Sequence, residues 1–195
     1  RTSSSAASDV YKRQIMNLSS NSCPALVLNA DYQPLSYYPL STWSWKDALK
    51  AVFLERVNVV SEYDKYVRSP STKFKLPSVI SLKDYIPLPE KAAFTRFNVF
   101  LRDKFLCQYC HTNFKVEELT FDHVLPKSRG GQTTWDNVVT SCRKCNTTKG
   151  NKLLAKTSFS LTSNPYTPNN YELKEIGRLF PPNFLHKSWN DFLYW

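Results

Sequence analysis

A chain of 195 residues with 42% hydrophobic and 14% aromatic side chains has the material for a core, which excludes wholesale disorder and suits one domain or a small domain with an extension. No apolar run approaches the ~20 residues that cross a bilayer, and no secretory leader precedes the fold, so the expectation is a cytoplasmic protein without a membrane role. The formal net charge of +10 suits a polyanionic partner or simple solubility, and no amphipathic basic helix points to a lipid surface.

In chain order, Arg1 to Ile15 is Ser-, Ala- and Thr-rich without periodicity and precedes the only methionine, Met16, so it reads as a non-native extension. Pro24–Asn29 (PALVLN) is a short apolar run ahead of a turn-like Asp31-Tyr32-Gln33-Pro34 and predicts a buried strand. Ser44 is placed to cap a helix in which Trp45, Ala48, Leu49, Val52 and Phe53 fall at helical spacing, with Asp47 near its positive end. Short strands are predicted at Val57–Val60, Lys73–Leu76 and Val79–Leu82. Pro87 and Pro89 mark a linker into a helix over Phe97–Phe105, and a Ser/Thr/Asn/Pro-rich stretch follows Lys152. A short helix near Tyr171–Phe180 and an aromatic ending, read as a packing surface, close the chain. Trp43, Trp45 and Trp135 are expected in the core. These readings divide the chain into 1–15, 16–93 (mixed α/β), 94–152 and 153–195.

Four of the five cysteines form two equal pairs, Cys107-x-x-Cys110 and Cys142-x-x-Cys145, separated by 31 residues. Two residues between thiolates let both sulfurs reach one ion at about 2.3 Å, and two such knuckles close a tetrahedron, the arrangement of structural zinc. Disulfides would be out of place in a cytoplasmic chain. A four-sulfur ion has no open position, so this Zn²⁺ is expected to be structural. Cys23 is left over as an ordinary apolar residue.

Between the knuckles runs LTFDHVLPKSRGGQTTWDN, and the second is followed by Asn146-Thr147-Thr148-Lys149-Gly150. This run, Cys107 to Lys152, resembles the HNH endonucleases, in particular the zinc-bearing branch with a ββα-metal core. Every element of that pattern is present: Cys-x-x-Cys, Asp-His, Pro, Gly-Gly, Asn, and Cys-x-x-Cys-Asn-x-x-Lys-Gly. The similarity to bacterial HNH proteins of about this size continues into PALVLNADYQPL and RSPS. The implied fold is α+β: a ββα-metal nuclease module stapled by a four-cysteine zinc site, with a mixed α/β N-terminal extension.

The chemistry of the residues agrees. Phosphodiester hydrolysis needs an activated water, a cation to take up charge on the phosphate, and positive groups to hold the strand. His123, one of three histidines, has the pKa range of a general base, while Asp122 and Asn146 offer the sparse hard-oxygen set that suits Mg²⁺. The resemblance implies His123 as general base, Asp122 and Asn146 as holders of a catalytic ion, and Asn137 as support for the loop that orients the histidine. It also implies DNA as substrate and products with 5′-phosphate and 3′-hydroxyl ends. Asn stands at the last position, where the family name has His, which favours Mg²⁺ or Mn²⁺ over Zn²⁺ or Ni²⁺. Adjacent strand residues point to opposite faces, so Asp122 and His123 should share a site only at a strand end, edge or bulge.

Gly130 and Gly131 are expected in a wide loop and Gly150 at a helix C-cap. From Phe94 to Lys152 there are 10 Lys and Arg against 5 Asp and Glu. Lys127, Arg129, Arg143, Lys144, Lys149 and Lys152 are therefore candidate phosphate contacts, with a solvated surface role as the alternative for each. Beside the DNA endonuclease stand two competing readings, a non-catalytic zinc-ribbon protein that binds nucleic acid, and an RNA substrate. The sequence leaves target specificity and a homodimer open.

Overall fold

The structure, a computed structural model, describes residues 22–193; the reading of the first fifteen residues as an extension lies outside them. Two compact units are present. Among the described residues, one takes 22–87 together with 177–193, and the other is Leu88–Ile176.

The first unit is built on a four-stranded sheet in the order β2-β1-β4-β3, with β1 Ala25–Leu28, β2 Thr42–Trp43, β3 Val57–Arg68 and β4 Lys73–Leu82. β1 runs parallel to β4, and the other pairings are antiparallel. PALVL reads as an unbroken apolar run because β1 is buried on both faces. Leu26 and Leu28 pack with Tyr37, Leu40 and Val79, whereas Ala25 and Val27 pack with Ala48, Val57 and Ile80. The latter cluster receives helix α1, Trp45–Phe53, whose N-cap Ser44 accepts from Asp47 N at 3.2 Å as predicted. Phe53 departs from the expected buried stripe: it is 59% exposed and meets Phe74 edge-on. Trp43 and Trp45 are half-buried and pack against core clusters, and Trp135 is buried in the core.

Three short predicted strands are in fact two long ones. The break expected between Leu76 and Val79 does not occur because Pro77, which lacks an N–H, lies beyond the stretch where β1 borders β4, Val79–Ser81. Register shifts in β3 around Ser61 and Glu62 accommodate it.

Contacts divide the chain at a different place from the expected boundary after Lys152. Residues 153–176 belong with the second unit, and Gly177 onward completes the first. Trp189 is wholly buried among Leu26, Leu28 and Val79, and its Nε1 donates to Ser78 O at 2.8 Å. The aromatic ending is thus core material of the first unit.

The second unit holds helix α2 Arg96–Arg102, strands β5 Leu119–His123 and β6 Val138–Cys142, helix α3 Arg143–Lys149, and most of helix α4 Asn170–Arg178. Thr95 caps α2, accepting from Asn98 N at 3.1 Å. α2 ends three residues earlier than predicted because Lys104 and Phe105 take φ of 55° and 56°, the left-handed region that stops a helix. β5 and β6 form an antiparallel pair without register shift, and α3 leaves β6 directly. The expected α+β class and ββα core are therefore present. Among the described residues no helix is long and apolar enough to cross a membrane.

Candidate functional site

The cysteine frame comes together as the spacing requires. The four Sγ atoms of Cys107, Cys110, Cys142 and Cys145 all lie within 4.8 Å of one another as free thiols. A sulfur tetrahedron around zinc, with bonds of about 2.3 Å, has edges of about 3.8 Å, so this cluster fits the ion. Cys142 ends β6 and begins α3 as its N-cap, with Sγ accepting from Cys145 N at 3.4 Å. The frame is thereby fused to the ββα core at the point where strand becomes helix.

Asp122 and His123 occupy the end of β5, the strand-end solution to the alternation problem, with no bulge. Alternation separates their side chains. Asp122 is buried, and its Oδ2 accepts from Tyr109 Oη at 2.6 Å and from Lys149 Nζ at 2.8 Å. His123 is half-buried beside Phe121, with Nε2 2.8 Å from Thr133 Oγ1. Partial burial, then the nearby positive charge of Lys127 and Lys149, holds its pKa below the ordinary value against an opposing pull from Asp122. The imidazole is consequently neutral at neutral pH, with a lone pair available.

Lys149 corrects an expectation. Its sequence context places it among the phosphate contacts, yet it is 0% exposed and tied to Asp122 Oδ2 and, at 2.7 Å, to His123 O. It has no surface to offer DNA. Its place on α3 explains this: Lys149 follows Cys145 by four residues, on the same helix face, and that face is buried. Lys127, Arg129, Arg143, Lys144 and Lys152 are exposed. Arg129 Nε donates to Asn151 O at 3.2 Å and an Arg143 guanidinium nitrogen to Glu117 O at 3.0 Å.

Breaking a buried pair from one side strands a charge, so Lys149→Met should destabilise the second unit by about 3–5 kcal/mol. Urea unfolding would read this directly. A change below about 1 kcal/mol, the scale of surface pairs, would show that the pair is not a structural tie.

Asn137 sits at the base of the loop joining β5 to β6 and pins it with three bonds. Its Oδ1 accepts from Leu125 N at 2.8 Å, and its Nδ2 donates to Leu125 O at 3.0 Å and Gln132 O at 2.8 Å. Gly131 lets the loop close: a Cβ there would lie 1.8 Å from Leu125 O and 2.9 Å from Asn137 Nδ2. Gly131→Ala should therefore displace the loop that carries Thr133. A lower melting temperature together with a changed His123 imidazole signal in NMR is expected, and an unmoved signal would count against a tight closure at this glycine.

Asn146, on the first turns of α3, is half-buried with Nδ2 donating to Phe121 O at 3.4 Å, which leaves its Oδ1 for a cation. On Asp122 both protein bonds fall on Oδ2, leaving Oδ1. Each side chain thus keeps one hard oxygen outside these bonds, the donor type that Mg²⁺ and Mn²⁺ prefer.

Sequence reasoning missed three contributors. Tyr109, lodged between the knuckle cysteines, is held protonated by burial, then by its bond to Asp122 and that residue's charge, so it is a permanent donor. Thr133 partners the histidine. The buried Arg102–Asp103 pair fixes β6 from behind: Arg102 donates to Val138 O at 2.7 Å and Trp135 O at 2.9 Å, and Asp103 Oδ2 accepts from Thr140 N at 2.7 Å. Its position inside a cysteine knuckle was a signal for Tyr109; nothing local in the sequence marked the other two.

Comparison with known proteins bears on the same residues. Residues 107–162 match the family described as HNH endonuclease, and residues 25–90 match the HNH endonuclease-associated, N-terminal domain. A stretch of 64 residues is 33% identical to the CRISPR-associated endonuclease Cas9 of Corynebacterium diphtheriae, covering 32% of this chain and 6% of that protein.

Proposed function

We propose that this chain, whose residues 107–162 match the HNH endonuclease family and 25–90 its associated N-terminal domain, hydrolyses phosphodiester bonds in DNA with His123 as general base and Asp122 and Asn146 as holders of Mg²⁺ or Mn²⁺. The observation that carries the reading is the end of the β5–β6 hairpin. The support is His123, with its neutral imidazole, next to Asp122 at that end, the Asn137-pinned loop beyond it, and Asn146 on the helix that follows β6, all within the stretch that matches the family.

In this reading Nε2–H of His123 donates to Thr133 Oγ1, the tautomer that leaves the Nδ1 lone pair to take the proton from water. The water oxygen then forms the new bond to phosphorus as the bond to the 3′ oxygen breaks, and that oxygen leaves as a 3′-hydroxyl after taking a proton from solvent. A bound divalent cation supplies Lewis acidity toward the phosphate and the leaving oxygen. Asp122 and Asn146 would hold it through one oxygen each, with Lys149 balancing the carboxylate charge. Lys127, Arg129, Arg143, Lys144 and Lys152, exposed in the same unit, hold the strand. The four cysteines hold structural zinc.

Tyr109 and Lys149 act as positioning residues that aim Asp122. Tyr109→Phe removes one buried donor without changing shape, so manganese affinity, read by the EPR signal of free Mn²⁺, should change several-fold while zinc content stays constant. Unaltered manganese binding would refute that role.

The direct test of the function is incubation of the full chain with supercoiled plasmid and Mg²⁺ or Mn²⁺. Nicked or linear product bearing 5′-phosphate ends is expected. Inertness toward double-stranded, single-stranded and branched DNA would refute it, and cleavage of RNA alone would move the substrate.

A further inference from the structure

The first unit carries a basic ribbon that the nuclease chemistry does not use. β4 borders β1 only over Val79–Ser81, yet β3 and β4 stay paired as far as Tyr66↔Lys75, Val67↔Phe74 and Arg68↔Lys73. The last part of the hairpin is therefore two strands wide. Its two faces differ. Val67 and Phe74 turn to the cluster of Leu49, Tyr63 and Leu76, and by strand alternation Tyr66, Arg68, Lys73 and Lys75 take the other face. Tyr66 is 58% exposed there, and Arg68 and Lys73 are exposed. The tip is closed, with Ser69 N donating to Thr72 O at 2.8 Å and Ser69 Oγ accepting from Thr72 N at 3.2 Å.

Arg68 stands directly across from Lys73, and like charges in that position destabilise a hairpin. Lys75 has an acidic partner, Glu62 at 3.6 Å. Charged side chains do guard edge strands against aggregation, and β3 is an edge, but a guard works with either sign and needs no like-charged pair. A two-stranded ribbon has the width of the major groove, Arg and Lys match phosphate, and an exposed Tyr adds an apolar and hydrogen-bonding surface between them.

We propose that the tip of the β3–β4 ribbon docks on duplex DNA, with Arg68 and Lys73 on phosphates and Tyr66 against the groove wall. This rests on the reading of DNA as substrate. It gives the first unit a binding role that the nuclease unit shares through the chain, because a tethered contact raises the local concentration of substrate.

The full chain, in buffer without Mg²⁺ or Mn²⁺, would be titrated onto a fluorescein-labelled duplex of about 30 base pairs across a range of KCl. Lys73→Glu should weaken binding about ten-fold and flatten the salt slope by about 0.9 for each phosphate that is no longer neutralised. Its melting temperature should rise, since Arg68 then faces a carboxylate. Binding and stability moving in opposite directions separates a docking role from a structural one. Arg68→Gln should weaken binding in the same way without a reversal of charge. Affinity and slope equal to wild type in both variants, while the wild type binds and cuts DNA, overturns the ribbon and leaves the nuclease reading intact. A wild type that neither binds nor cuts DNA overturns both. Ribbon-dependent binding to phosphatidylserine vesicles, with DNA affinity unchanged by the variants, also overturns the proposal.

Discussion

His123→Ala should lower the rate of plasmid cleavage by roughly 10²–10⁴-fold, the range that a positioned general base contributes. The substitution is clean in this fold. The side chain is half-buried at a strand end, its ring nitrogen is bonded to a threonine hydroxyl in a loop, and β5 continues to pair with β6 through backbone bonds that alanine retains. Duplex affinity and melting temperature should stay near wild type, which places the loss in turnover rather than in binding. Thr133→Ala, which frees Nε2, should cost less, because the imidazole remains and loses only its orientation. A His123→Ala enzyme with wild-type turnover would remove the general base from the mechanism, whatever the plasmid assay shows for the parent.

Removal of zinc should abolish the second unit's structure and its activity together. Apparent binding energies for structural zinc, about 10–16 kcal/mol, match or exceed the stability of a typical domain, about 5–15 kcal/mol. The local arrangement makes the dependence acute. α3 is seven residues long, too short to persist alone, and it begins at a cysteine that serves both as a member of the cluster and as N-cap. The same buried cluster includes Tyr109 and Val139, so the metal frame and the donor to Asp122 share one core. With a strong chelator, or in Cys142→Ser, helicity from the second unit and nicking should fall in parallel. Mass spectrometry should find one zinc per wild-type chain. An apoprotein that still nicks plasmid would refute the structural role.

The parts of this molecule that are legible in the sequence are those fixed by local spacing. Two Cys-x-x-Cys pairs, Asp122-His123 and Gly130-Gly131 each state a geometry within a few residues, and the cluster, the strand end and the tight loop follow. Lys149 misleads because a lysine on a short polar helix usually faces water. Its burial depends on a carboxylate 27 positions earlier that needs a countercharge, and only the fold brings the two together. Pro77 misleads for a related reason: β1 stops at Val79, short of it, and β3 pairs with it at Glu62 between register shifts, so its missing N–H does not end the strand. The division of units is illegible because contiguity in sequence says nothing of which core receives Trp189.

That last feature bears on how the two cores close. The second unit interrupts the first in sequence, and its own ends are joined by Asn170 N donating to Glu90 O at 3.1 Å and the Asn170 side-chain amide donating to Lys91 O at 3.0 Å. The second unit's core is gathered from one continuous stretch, Leu88–Ile176, whereas the first unit's core joins β1 to Trp189 across the whole of that stretch. Closing a longer loop costs more chain entropy, so completion of the first core depends on the second unit holding its flanks together.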